Sequence, residues 1–176
     1  MQFPTKNEYT SFFSTYMSHL PTRCPVALLE QTMHYQLTIL SQVGEEQRYE
    51  AYQEGKWTVY QVVKHIIDAE FMLGYRALRF ARNDQTNIEF YDEDAYVTQS
   101  LDTTGDWDHL MQSFEHLRSY HIHFFKTLTE EESKRGGSDN FPCSVRALCA
   151  IISAHAIHHL YVIQSAYLKK EINYFI

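Results

Sequence analysis

A chain of 176 residues is the size of one domain, and can bury about 70% of its unfolded surface without disulfides or a structural metal. Its 15 Lys and Arg against 22 Asp and Glu leave a net charge of −7, which argues against the clustered positive surface that phosphate backbones require. No nucleic-acid partner is expected, and the odd cysteines Cys24, Cys143 and Cys149, with no Cys-x-x-Cys spacing, suggest neither a disulfide framework nor a zinc ribbon.

The opening residues Met1 to Glu8 hold no apolar core of a signal peptide, and no apolar run approaches the ~20 residues that span a bilayer. A single domain over 1–176, in a reducing, cytoplasmic setting with no membrane partner, is the expectation. Only six glycines and four prolines punctuate the chain, so the elements are few and long. The periodicity predicts a short leading helix over 6–19, stopped by Pro21 and Pro25. Four long helices follow near 26–43, 57–82, 104–129 and 144–169, an all-α bundle with no hairpin signal between them.

The second long helix has a readable start. Thr58-Val59-Tyr60-Gln61 fits a capping box, and Trp57 before it is placed to staple onto Val62. Its stripe from His65 carries Thr58, Val62, Ala69, Met72 and Arg76, an apolar side that ends in a cation. Gly74 within this helix costs about 1 kcal/mol relative to Ala, which predicts close packing against a neighbour. The connection after it, through Asn83 to Tyr96, is about 20 residues long, and a bundle loop of that length is usually functional or flexible. Tyr91, Asp92 and Tyr96 are its candidate lid residues. Glu130-Glu131-Glu132, then Lys134-Arg135-Gly136-Gly137-Ser138, reads as a solvated turn.

The last long helix carries His155 and His159, four apart and therefore stacked on one face about 6 Å apart along the axis. Their stripe also collects Leu148, Ile151, Ile152, Val162 and Ala166, so both imidazoles project from a core face. Two histidines buried together are either each hydrogen-bonded or share a cation. A third, His65, lies on the apolar stripe of another helix, and two ligands from one helix with one from another close three corners of a tetrahedron. Three neutral imidazoles with an open position suit Zn²⁺, Ni²⁺ or Fe²⁺.

His158 lies one residue off the stripe and reads as a supporting or interface residue. Asp68, one turn from His65, either accepts that imidazole's other N–H or is a solvated carboxylate. Arg76 has two readings, binding an acidic substrate group or pairing with an acid of the 83–96 loop. His-Glu-x-x-His and Glu-x-x-His spacings are absent, which disfavours metalloprotease and ferritin-like di-iron chemistry. Cys143 and Cys149 read as small buried hydrophobes. The remaining histidines form no comparable set, although His34 on the first long helix has the option of lying near the site.

The segments Lys56-Trp57-Thr58-Val59-Tyr60-Gln61-Val62-Val63-Lys64-His65, Tyr75-Arg76-Ala77-Leu78-Arg79-Phe80-Ala81-Arg82, Phe90-Tyr91-Asp92-Glu93-Asp94-Ala95-Tyr96-Val97 and Ser144-Val145-Arg146-Ala147-Leu148 leading to His159 together resemble the DinB/YfiT-like superfamily, in the same order and spacing over about 56–165. Asn83 stands where closer relatives have Gly, and Thr58 and Gln61 replace a Ser and a Glu. The resemblance implies a four-helix bundle of DinB/YfiT-like type, with a short extra N-terminal helix and often homodimeric. It also implies a divalent-metal site on His65, His155 and His159. Two chemistries are implied, a metal-dependent hydrolase and a transferase or isomerase that activates a low-molecular-weight thiol such as bacillithiol or mycothiol, each acting on a small-molecule substrate. The alternative is a non-catalytic, dimeric, metal-stabilised binding protein.

Overall fold

The computed structural model describes residues 1–100 and 104–175. These form α1 (Ser14–Met17), α2 (Pro25–Leu40), α3 (Val59–Ala81), α4 (Glu93–Gln99), α5 (Trp107–Thr127), α6 (Glu130–Lys134) and α7 (Val145–Val162), which runs on into a π-helical turn over Ile163–Tyr167. No β-strand occurs among the described residues.

Helices α2, α3, α5 and α7 make the expected four-helix bundle. α2 packs on α5 and α7, and α3 packs on the same two, so α2 and α3 lie across a diagonal although they are consecutive in sequence. Each chain crossing at that diagonal needs a long connection, which residues 41–58 supply. α1 and α6 pack on α7 from outside.

α7 therefore has neighbours on all sides, and every residue from Val145 to Ile157 is buried rather than one stripe. By length and apolar content the stretch Val145–Tyr167 would suffice to cross a bilayer, contrary to the sequence expectation; it is instead the central helix of the bundle, mostly buried in it.

The cap of α3 forms as expected: Thr58 Oγ1 accepts from the Gln61 N–H at 3.2 Å and Gln61 Oε1 accepts from the Thr58 N–H at 2.9 Å. At its other end Asn83 takes a left-handed φ of 60°, with its N–H donated to Phe80 O and that of Asp84 to Arg79 O. That is a Schellman ending, and Asn is the residue besides Gly that tolerates it.

Three local expectations change. The leading helix over 6–19 is broken into 3₁₀ turns at Lys6–Glu8 and Ser11–Phe13 before the single turn α1. The reason is tertiary: the Glu8 carbonyl accepts the Ser144 N–H at 2.9 Å, and its carboxylate takes hydrogen bonds from Ser144 and Arg146, which holds Tyr9 and Thr10 extended. The long connection contains α4, capped by Asp92 Oδ1, which accepts the Ala95 N–H at 3.0 Å. Residues 101–103 of that connection, within which the third long helix was to be approached, lie outside the described residues. The acidic turn is the short helix α6, closed by a Thr129–Glu132 capping box.

Two apolar clusters fill the bundle, one around Phe80, Phe125 and Leu148 and the other around Val63, Ile66 and Leu160. Buried polar groups also tie the four helices together. Glu70 on α3 receives Arg118 of α5 through Nε and Nη2, both at 2.8 Å, and Arg118 Nη1 donates to Thr32 Oγ1 on α2 at 2.9 Å. Thr32 in turn donates to Ser153 on α7 at 3.3 Å, and His121 Nδ1 lies 3.1 Å from Glu70 Oε1. The close packing expected at Gly74 is present, since a Cβ there would fall 2.0 Å from His121 Nε2.

Candidate metal centre

The structure brings His65, His155 and His159 together. α3 presents His65 and α7 presents the other two from successive turns, and the packing of α3 on α7 closes the set. The Nε2 atom of His155 lies 3.1 Å from that of His65 and 3.1 Å from that of His159. The three potential ligand atoms all fall within 4.8 Å of one another. Metal–nitrogen bonds of about 2.1 Å in a tetrahedron span an edge of about 3.4 Å, so these separations fit a small divalent cation.

Charge supports the fit. Burial holds the His65 imidazole down to about 4, partly opposed by Asp94, and that of His159 down to about 3, with His65 and His158 adding to the effect. His155, buried, is held well below the ordinary value by burial and by His159, His65 and His158. All three are neutral at pH 7, when imidazole nitrogen is a lone-pair donor. His155 Nε2 faces two other ring nitrogens and carries at most one proton to share between them. A cation accepted by all three lone pairs satisfies what hydrogen bonding among them cannot.

The other candidates fall around this set. His158 is half-buried on the outer side, with Tyr16 edge-on at 4.9 Å and His19 stacked at 6.0 Å between ring centroids. Asp68 lines a different cavity with Lys64, Asp106 and His109, and its carboxyl is raised by burial, against the pull of Lys64. Trp57 lies with its ring centroid 4.9 Å from that of His65 and so helps wall the centre. His34 is exposed on α2 and belongs to no cluster of potential ligands. Cys143 and Cys149 are buried, their thiols pushed up by burial.

Sequence reasoning missed Glu93. The first turn of α4 brings its Oε2 to 3.9 Å from His65 Nε2. Burial raises this carboxyl, as does Asp94 beside it, against the pull of Arg76. The signal was present in the sequence as an Asp cap followed by two acids, the mark of a helix start.

A cavity of about 300 Å³ opens from the centre. His155, Glu93 and Arg76 line it, and Tyr16, Phe13, Phe90, Tyr91 and Phe141 contribute most of its walls. Of the candidate lid residues, Tyr91 lines this cavity, Asp92 caps α4, and Tyr96 is largely exposed with its ring 4.8 Å from that of Tyr91. On the opposite side His159 lines a second cavity with Trp57, Asp94 and Tyr167.

Among solved structures, YfiT from Bacillus subtilis, described as a probable metal-dependent hydrolase with an unusual four-helix bundle topology, is similar with a TM-score of 0.74 at 19% identity, over 97% of this chain and 95% of that one. At that identity the likeness is one of fold. No curated protein matches the sequence. The model of the DinB superfamily matches residues 28–163, which hold all three histidines and all of the bundle but the first turn of α2, and on that match the chain belongs to the DinB superfamily.

Proposed function

We propose that the chain is a divalent-metal-dependent enzyme of hydrolase or thiol S-transferase type, acting on a small molecule at the His65, His155 and His159 centre. The observation that carries this reading is the convergence of three neutral imidazoles, two buried and one half-buried, beside a cavity that His155 lines, with one carboxylate 3.9 Å from His65. A divalent cation held there, Zn²⁺, Ni²⁺ or Fe²⁺, supplies Lewis acidity and lowers the pKa of a water or a thiol.

The chain's own residues do the rest. Glu93, its carboxyl raised above the ordinary value by burial and by Asp94, is poised to take a proton at Oε2 from a nucleophile entering beside His65. The Tyr16 hydroxyl, pushed up first by burial and then by Glu93, stays protonated on a residue that lines the same cavity. Phe13, Phe90 and Phe141 exclude water from the space where the substrate sits. A purely structural metal site is closed by a fourth protein ligand and needs no adjoining cavity. The cavity beside His155 therefore supports chemistry over the metal-stabilised binding protein. With this reading go a small-molecule substrate, a homodimeric assembly and a cytoplasmic setting.

Elemental analysis of untagged protein tests it. Near-stoichiometric metal in the natural chain that disappears in His155→Ala is the expected result, followed by screening of ester hydrolysis and thiol transfer with the loaded protein. No metal in either protein after supply of Zn²⁺, Ni²⁺ and Fe²⁺ overturns it.

A further inference from the structure

Arg76 is 94% buried, since only 6% of it is exposed, yet it has no carboxylate within 4 Å among the described residues. A guanidinium carries five N–H donors. One of them reaches the Glu89 carbonyl at 3.3 Å, and the Nε is buried with no partner. The rings of Phe141 and Phe90 lie 4.5 Å and 5.8 Å from its central carbon and, with their own centroids 6.1 Å apart, cover it from one side only, so the unpartnered Nε remains for a ligand. A buried cation left this way is costly unless an anion completes it.

The position of Arg76 relative to the histidine centre defines what that anion belongs to. His65, Ala69, Met72 and Arg76 recur at helical spacing along one face of α3, and the last three line the same cavity as His155. The axial distance from His65 to Arg76 is about 16 Å, before the two side chains lean into the space between them. Among the described residues Arg76 is the one Lys or Arg that lines this cavity, and Glu93 lines it as well, near enough that the two charges act on each other. A single guanidinium opposite a carboxylate favours a monoanion over a dianion, and the planar fork favours a carboxylate.

We infer that the cavity binds an organic monocarboxylate with an apolar or aromatic body, its carboxylate on Arg76 and its reactive end toward His155 and Glu93. This rests on the reading of the histidine centre as the place of chemistry, but Arg76 recognition is measurable without it. The aromatic walls set the body: Phe13, Phe90 and Phe141 offer ring faces and edges, and Met72 offers an adaptable floor.

The test is calorimetric titration of the full chain with 4-phenylbutyrate and with its uncharged analogue 4-phenylbutanamide, each against chelator-treated and Zn²⁺-supplied protein. In the chelated protein the carboxylate is expected to bind about 10- to 100-fold more tightly than the amide, the scale of a charge-assisted hydrogen-bonded pair. Arg76→Met is expected to erase that preference and Arg76→Lys to restore part of it. Equal binding of carboxylate and amide by the natural chain, which needs no variant to fold, overturns the inference. So does a preference that Arg76→Met leaves intact in a folded protein. A carboxylate preference seen only with Zn²⁺ also overturns it, because the anion is then on the metal. Loss of metal binding alone, with the Arg76 preference kept in the chelated protein, overturns the function proposed above and leaves this recognition standing.

Discussion

Glu93 Oε2 lies 3.9 Å from His65 Nε2, although the two residues belong to different helices joined by a connection with no periodicity of its own. The separation is too long for a direct hydrogen bond and leaves room for one small group between them. Glu93→Gln keeps size and removes the proton acceptor. The expected outcome is unchanged metal content with turnover lowered about 10²- to 10⁴-fold. The pH profile of kcat/KM should also lose its acidic limb, because the natural carboxyl is raised and must be ionised to work. Unchanged turnover with weakened metal binding would instead make Glu93 a ligand.

Gly74 and His121 set a second expectation. An Ala at position 74 gains about 1 kcal/mol in helix propensity, but its Cβ would lie 2.0 to 2.8 Å from three atoms of the His121 ring. That ring is buried and held against Glu70, so it yields only by breaking the contact. Gly74→Ala is expected to destabilise by about 1 to 3 kcal/mol, and much of the loss should return in the double variant with His121→Ala. Urea denaturation midpoints of the four proteins of this cycle decide it.

Glu70 and Arg118 form the most enclosed ion pair, with side-chain exposures of 2% and 0%. Burial alone would raise the Glu70 carboxyl, yet Arg118 and His121 together hold it below the ordinary value. Glu70→Gln strands a buried guanidinium, and the expected cost is about 3 to 5 kcal/mol. Replacing both, as Glu70→Leu with Arg118→Met, should cost less than the single change, since no charge is left without a partner. Equal or larger loss in the double variant would mean that the pair contributes net stability rather than specificity.

These residues also mark what the sequence could reveal. His155 and His159 were legible because a four-residue spacing on a strongly apolar helix is a local signal, and His65 because a capping box set the phase of its helix. Glu70 and Arg118 were not, because their pairing joins positions 48 apart and neither has a local pattern that names the other. Asp68 had the right spacing from His65, yet three residues turn a helix by about 300°, enough to aim its carboxylate into a neighbouring cavity. The bundle itself followed from periodicity. The leading segment did not, because Glu8 is held by α7 and that contact overrides the helical preference of its neighbours. Short helices such as α4 and α6 hang on their caps rather than on periodicity, and so escaped a reading built on long windows.

Glu8 joins that N-terminal segment to the function. Its carboxylate meets Arg146 Nε and Nη2, both at 2.6 Å, and so pins the strand of chain whose next residues, Thr10, Phe13 and Tyr16, wall the cavity. Burial pushes this carboxyl up, but the bonds from Arg146, Thr5 and Ser144 outweigh it and hold the group at about 2 against an ordinary 4.5. A carboxyl depressed in the folded state adds stability above the unfolded value, and that contribution disappears as pH falls through the folded one. With a side-chain exposure of 17%, the pair is expected to contribute on the order of 2 kcal/mol at pH 7. Glu8→Gln should lose this at pH 7, and its stability gap from the natural chain should shrink to under half by about pH 3. Denaturation midpoints at the two pH values read the effect directly; a gap that stays constant would mean that Glu8 acts through packing, with no part played by its charge.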